Sequence, residues 1–291
     1  PSGVEPDTYE VIFSEDHVEI RRRDGAIGTT LEVVVSPEHD AEVRRVSVTN
    51  LGARTREIEL TSYAEIVLAP LAADAAHPAF SKLFVQTEFV AELGALFATR
   101  RPRSHGEPQV WAAHVIVAEG ETFGDMEYET DRGRFLGRGR RIRTPMSVID
   151  GHPLSKTVGT VLDPIMSLRR CVRLAPGASA RVTFSTLIAS SRDEAIALAD
   201  EYNNPATFER AATLAWTQAQ VQLRHLGIDA DEAYLFQELA SRILYSDVTL
   251  RPPSVVLTSN NRGPAGLWRY GISGDLPIVL IRIDDTEDQN I

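Results

Sequence analysis

From Tyr9 to Leu187 apolar and polar residues alternate with period two: Val18 and Ile20, then Leu31, Val33 and Val35, then Val46 and Val48, then Ile58, Leu60, Ala64, Ile66 and Leu68. Alternation of this kind turns one face of each run to a core and the other to water, which predicts half-buried strands. Asp24-Gly25, Ser36-Pro37, Asn50-Leu51-Gly52 and Ala175-Pro176-Gly177 punctuate the runs, so a large antiparallel sandwich is the predicted architecture. The last turn separates Cys171 to Leu174 from Ala180 to Leu187, and these two runs read as a hairpin.

At Ser191 the period changes. Ser191 with Glu194 makes a capping-box pattern ahead of Ile196, Ala199 and Tyr202. Asn204-Pro205 then sets an N-cap before a first-turn proline, and Phe208, Ala212, Ala215, Ala219 and Leu223 trace one face of a long helix that stops at Gly227. Asp229 and Glu232 predict a third start, followed by Leu235, Leu239, Arg242 and Ile243. All strands come first and all helices last, so the fold class is β then α and multidomain, with the junction near residue 190.

Composition narrows the function. At 291 residues, 43% hydrophobic and 24% charged, the chain can build a large core and is not a disordered segment. A net charge of −11 argues against a nucleic-acid partner. The stretch Arg132 to Arg143 runs against that balance, with six arginines in twelve residues. It fits a phosphate or RNA site and equally a sandwich loop whose arginines pair with carboxylates; the acidic whole and the lack of an RNA-binding signature favour the loop. Two lysines against 28 arginines reflect the codon usage of a GC-rich genome. Cys171 alone allows neither an intramolecular disulfide nor a cysteine-built metal site, and reads as a buried, inert thiol in a reducing compartment. No apolar run approaches the ~20 residues of a membrane helix, and no signal peptide opens the chain. It starts without methionine and stops without a closing element, and is expected to be a piece of a longer polypeptide.

Common constellations are missing. The seven histidines include no pair at helical metal-ligand spacing, so no metal is expected, and there is no Gly-x-Ser-x-Gly elbow, Walker sequence or dinucleotide fingerprint. Asp284 to Asp288 lacks the glycine and ligand spacing of a calcium loop and reads as the acidic first turn of a helix. His77 to Phe84 and Arg101 to Glu107 read as polar loops between strands. One segment stands out: Gly266 to Pro277 puts three glycines, Trp268, Arg269, Tyr270 and Asp275 in one loop. Glycines admit close backbone approach, aromatic faces stack on the C–H faces of sugars, and the charged groups bind hydroxyls. A tight turn capping a helix fits the same residues.

Several long motifs in one order carry a family resemblance: Thr61-Ser62-Tyr63-Ala64-Glu65, His77-Pro78-Ala79-Phe80 through Thr87-Glu88, Glu129 through Gly137, and Leu267 to Ile283. On these the chain resembles the phosphorylase (glycosyltransferase 36-like) region of cyclic β-1,2-glucan synthases, related to cellobiose and chitobiose phosphorylases. The resemblance implies a β-supersandwich of the galactose-mutarotase type over 1–190, a helical linker over 191–226, and the first segments of an (α/α)6 barrel over 227–291. It implies inverting phosphorolysis of a β-glucan, with inorganic phosphate as co-substrate, α-glucose 1-phosphate as product and no cofactor. The partners it implies are β-glucan oligosaccharide, phosphate and the remainder of a large membrane-associated bacterial polypeptide, this domain on the cytoplasmic face of the inner membrane; it allows a homodimer through the sandwich. Asp275 matches the family's carboxylate for the −1 sugar. Arg269 sits where related phosphorylases contact sugar, Arg262 is an alternative cation nearer phosphate, and Trp268 walls the site or packs the barrel. The family's general acid falls later in the barrel, so no catalytic residue is assigned here and the chain alone is expected to be inactive. A carbohydrate-binding or dimerising scaffold and a glycoside hydrolase of related barrel fold are the alternatives.

Overall fold

The computed structural model describes residues 5–102, 104, 106–245, 249, 251–276 and 278. Two compact units divide the chain, Pro1–Gln222 and Leu223–Ile291.

In the first unit, β1 (Thr8–Phe13), β2 (His17–Asp24), β3 (Ile27–Val35) and β4 (Ala41–Asn50) form a meander. β5 (Arg56–Thr61) and β6 (Ala64–Glu65) follow, then the short helices α1 (Leu71–Ala76) and α2 (Pro78–Lys82). β7 (Val85–Val90), β8 (Ala95–Arg100), β9 (Trp111–Glu119) and β10 (Thr122–Asp131) lead into α3 (Arg132–Leu136) and α4 (Met146–Ile149), and β11 (Pro164–Leu174) and β12 (Ser179–Ala189) close the strand region. Eight strands make one antiparallel sheet in the order β1-β2-β3-β4-β12-β9-β8-β7; β10-β11-β5, with β6 also on β11, make a smaller one. The large antiparallel sandwich predicted from period two is therefore present.

The predicted hairpin across Ala175-Pro176-Gly177 is not. β11 pairs with β10, β5 and β6, whereas β12 pairs with β4 and β9, so the turn carries the chain from one sheet to the other. Asn50 holds this corner. Its amide donates to the carbonyls of Arg54, Leu174 and Ala175, and Gly177 takes a positive φ of 76°. A three-residue turn fits a hairpin and a sheet-to-sheet corner alike, and the buried asparagine decides between them. The run Ile58 to Leu68 also breaks, at Ser62, because the Ser62 and Ser167 hydroxyls bond the β11 and β5–β6 backbones across the gap. His77 to Phe84 contains α2 rather than a loop, with Pro78 in its first turn.

The large sheet is buried on both faces. Val48, Leu96, Ile116, Val182 and Phe184 meet Met166, Leu168, Val172 and Leu174 of the small sheet. On the other face Val34, Val43, Phe97, Val115 and Leu187 meet α5 (Arg192–Tyr202) and the first turns of α6 (Thr207–Leu226). Ser191 caps α5 as predicted, but Glu194 reaches back to Ser190 instead of closing the box. α6 starts two residues beyond the proline, after an Asn204 turn. In the second unit α7 (Ala230–Leu244) carries the full Asp229/Glu232 capping box, followed by α8 (Ser254–Ser259) and α9 (Ala265–Trp268). The acidic run 284–288 lies outside the described residues.

Candidate functional site

Two places in the molecule offer chemistry, one in each unit. The first is the glycine-rich loop. α9 ends at Trp268, and the chain turns on itself: the amides of Tyr270 and Gly271 donate to Leu267 and Trp268, and Gly271 and Gly274 take φ of 75° and 79°. The Trp268 indole donates to the Ser273 carbonyl at 3.3 Å, and the Ser273 hydroxyl accepts from the Asp275 amide. This makes a tight turn on which the Trp268 and Tyr270 side chains are largely exposed. Arg269 lies over the Tyr270 ring, 4.6 Å from its centroid, and donates to the phenol oxygen. Arg262 enters at the start of α9, beside Gly266, its amide held by the Asn260 side chain. The four residues Arg262, Trp268, Arg269 and Asp275 thus share one short segment, but no ion pair joins Asp275 to either arginine among the described residues. Among the described residues its carboxylate accepts no hydrogen bond. The turn follows α9 directly, as the helix-capping reading expects.

The second place was not singled out from sequence. A cavity of about 400 Å³ opens where the small sheet's edge, Thr61 to Ala64, meets the inner face of β3, β4, β9 and β12. Leu31, Val46 and Phe184 give it an apolar floor, and Glu42, Arg44, His114 and Thr186 give it polar groups. His114 is buried, lies parallel to Phe184, and has both ring nitrogens engaged: Nδ1 with the Thr186 hydroxyl at 3.0 Å and Nε2 with the Ser62 hydroxyl at 2.8 Å. Burial, helped by the Arg44 charge, holds its pKa down at about 4, so the imidazole is neutral at pH 7. A serine–histidine contact invites a nucleophile reading, which the geometry rejects. Ser62 Oγ is tied to the Leu168 backbone, a threonine stands where an orienting carboxylate would be, and so weak a base draws no proton from serine. An isolated histidine in the apolar run Ala112 to Val117 was the available signal.

Tyr63 also lines this cavity, and the remaining motif residues build scaffold. Tyr63 donates its phenol proton to Glu65 at 2.8 Å and accepts from Arg132 at 3.1 Å; burial first, then Glu65, push its pKa up to about 12. Arg132 also bonds Glu65 and Asp163. Glu129, buried, accepts from the amides of Thr130, Asp131 and Ser155 and from the Ser155 hydroxyl. Asp131 caps α3, and Phe135 and Leu136 pack on Leu154 and Ile165. In the arginine-rich stretch Arg132, Arg134 and Arg140 pair with carboxylates, as the loop reading expects. Cys171 is half-buried, its thiol pKa raised by burial and then by Glu59 and Glu127. Among the described residues no cluster of three or more histidine, cysteine or acidic side chains could hold a metal, and no helix is long and apolar enough to cross a membrane.

Comparisons with known proteins agree with the sandwich. Cyclic beta-(1,2)-glucan synthase NdvB of Rhizobium meliloti (strain 1021) is 40% identical over 279 residues, which are 96% of this chain and 10% of that protein. The chain therefore spans about a tenth of the length of the curated relative it matches. Among solved structures, a bacterial glucoamylase complexed with acarbose aligns at a TM-score of 0.43 and 10% identity, over 72% of this chain and 28% of its own. A polysaccharide lyase aligns at 0.37 and 14%, over 62% and 23%. Scores that low carry no weight for fold or function. The model of the glycosyl hydrolase 94 supersandwich domain matches residues 1–205, the whole β region with α5, and the chain belongs to that family.

Proposed function

We propose that this chain is part of an inverting glycoside phosphorylase that acts on β-1,2-glucan during cyclic glucan synthesis. The observation that carries the reading is the 40% identity, over nearly all of the chain, to a cyclic beta-(1,2)-glucan synthase. In the reaction a phosphate oxygen attacks the anomeric carbon from the face opposite the glycosidic bond. The bond to the leaving oxygen breaks, that oxygen takes a proton from a carboxylic acid, and the products are α-glucose 1-phosphate and a glucan shorter by one unit. Phosphate replaces the activated water of an inverting hydrolase, so one acid suffices.

In this reading residues 227–291 open an (α/α)6 barrel, and α7, α8 and α9 are its first helices. Asp275, an exposed carboxylate with no side-chain partner among the described residues, accepts hydroxyl protons of the −1 sugar. Trp268 offers its exposed ring as a wall. Arg262 serves phosphate, while Arg269, already held on Tyr270, orients that ring more than it binds sugar. The proton donor is supplied from outside this chain, which alone turns nothing over. Incubation with linear β-1,2-glucan and phosphate, followed by enzymatic detection of glucose 1-phosphate, tests this. No product is expected from the chain by itself, product is expected from a polypeptide that continues through the barrel, and Asp275→Ala there should lower kcat/KM by 100-fold or so, about 2.7 kcal/mol of transition-state binding. Appreciable product from the chain alone would refute the assignment of the acid elsewhere.

A further inference from the structure

We propose that the inner face of the large sheet is a second carbohydrate site, a cleft that holds a β-linked glucosyl segment against Leu31, Val46 and Phe184 with Thr186, Arg44 and Glu42 as its polar contacts. The choice of a glucan as ligand rests on the function proposed above; the cleft itself rests on the packing of the two sheets.

Eight strands face a smaller sheet, so the inner face runs on past its cover. Register fixes what that face displays. Glu42 and His114 flank Thr186, Arg44 lies opposite Phe184, and Leu31 lies opposite Val46. Continuing outward, Leu31 pairs with Ile20 and Ile20 with Val11, while Val33 pairs with Val18 and Val18 with Phe13. Tyr9, Val11 and Phe13 therefore share the inner face on β1, and Tyr9 and Phe13 are 59% and 63% exposed. With neighbouring strands about 4.8 Å apart, this aromatic pair stands about 14 Å from β4, within the span of a short oligosaccharide. The cavity lies at the other end of that path, and its volume of about 400 Å³ falls in the range of small-molecule sites.

The donor inventory selects the ligand class. Ser62 Oγ gives its one proton to the Leu168 carbonyl or to His114 Nε2, and the imidazole tautomer follows that choice; in either tautomer Thr186 Oγ1, 3.0 Å from Nδ1, keeps a lone pair for a ligand hydroxyl. Among the described residues Arg44 donates only from its Nε, to Glu42 at 2.6 Å, which leaves both terminal nitrogens for acceptors. Because guanidinium and carboxylate neutralise each other, the cavity has no excess charge to attract an anion. His114 has no nitrogen left for a metal. An uncharged ligand with one apolar face and several hydroxyls remains, and a pyranose has both: C–H groups for Phe184 and Leu31, and vicinal hydroxyls for the Arg44–Glu42 pair.

Saturation-transfer NMR with linear β-1,2-glucooligosaccharides of two to six units tests the site. The wild-type chain and Asp275→Ala are both expected to bind. Arg44→Ala should weaken that binding tenfold or more, and Thr186→Val, which keeps the shape, severalfold. The double change Tyr9→Ala with Phe13→Ala should weaken the hexasaccharide and spare the disaccharide. Circular dichroism checks that each variant is folded; Tyr9, Phe13 and Arg44 are exposed and carry little of the core. Abolition of all binding by Asp275→Ala would overturn the second site while leaving the barrel-loop reading intact. Unchanged binding by both Arg44→Ala and Thr186→Val would overturn it as well. Binding that ignores Asp275→Ala at every length but falls with Arg44→Ala supports the cleft and counts against the loop.

Discussion

His114 gives the sandwich a measurable response to acid. In the unfolded chain its imidazole titrates near 6.5; in the folded protein burial, then Arg44, bring that to about 4. Between those values the unfolded chain binds a proton that the folded chain refuses, so stability rises with pH across the window and is lost as pH falls from 6.5 toward 4. The full effect is 6.5 − 4 = 2.5 units, which at 1.36 kcal/mol per unit is about 3 kcal/mol. By pH 4.5 about 2.5 kcal/mol of it is lost. Glu38, Glu65 and Glu194 also have depressed pKa values, from hydrogen bonds to Arg210, Tyr63 and Ser190 respectively, and their contributions fade at more acid pH, below the usual carboxylate range. A difference measurement removes them. Urea unfolding of wild type and His114→Gln at steps from pH 7 to 4.5 should show the gap between the two narrowing by about 2.5 kcal/mol, because glutamine offers amide hydrogen bonds but has nothing to titrate. Two parallel stability curves would refute the argument, since the imidazole would then be solvated or already charged and the cavity floor would not be neutral.

Two further perturbations probe the scaffold that carries the motifs. Arg169 is fully buried on the small sheet, donating to Thr61 Oγ1, the carbonyls of Ser147 and His152, and Glu127. Arg169→Met strands those acceptors and should cost about 3 kcal/mol, the low end for a broken buried pair because Glu127 and Glu59 reach solvent; thermal unfolding should drop by roughly 6–12 °C, and a drop under 2 °C would contradict it. Gly137 ends α3 at φ 82° and ψ 160°, and an added Cβ would lie 2.9 Å from Met146 Cβ. Gly137→Ala should cost about 2 kcal/mol, with hydrogen exchange rising first in α3 and α4; unchanged exchange there would contradict it.

Period two exposed the strands but not their burial: β8 buries Ala95 to Ala98 in succession, and on β3 Val34 is buried while Val35 is exposed, because α5 and α6 cover the large sheet's other face. Helix starts were legible to within two residues wherever a side chain caps locally, at Ser191 and Asp229. Sheet membership was not legible. The pattern of β11 and β12 is the same whether they pair with each other or with strands far away in sequence, and what separates them is the buried amide of Asn50, whose partners lie as much as 125 residues off. The cavity was illegible for the same reason. Glu42 and Arg44 come from β4, His114 from β9, Thr186 from β12 and Ser62 from the break between β5 and β6, and only the register places them in one hollow.

One motif that carried the family resemblance, Glu129 to Gly137, is a tightly constrained polar stretch of the sandwich. Between Glu129 and Gly137 the polar and turning residues are each fixed by geometry. Glu129 accepts four hydrogen bonds, Asp131 caps a helix, Arg132 bridges to Tyr63 and Glu65, and Gly137 holds a positive φ. A buried carboxylate left without its donors costs more than an apolar replacement would, so such residues must appear together or not at all. Ligand contacts obey no such rule. Asp275 and Arg44 are exposed, make few protein bonds, and could be exchanged at little cost to the fold. Recognising a fold through its buried polar network therefore says where the chain can hold a sugar only indirectly, and the two candidate sites have to be separated by binding measurements on exposed residues, where a loss of affinity is not confounded with a loss of structure.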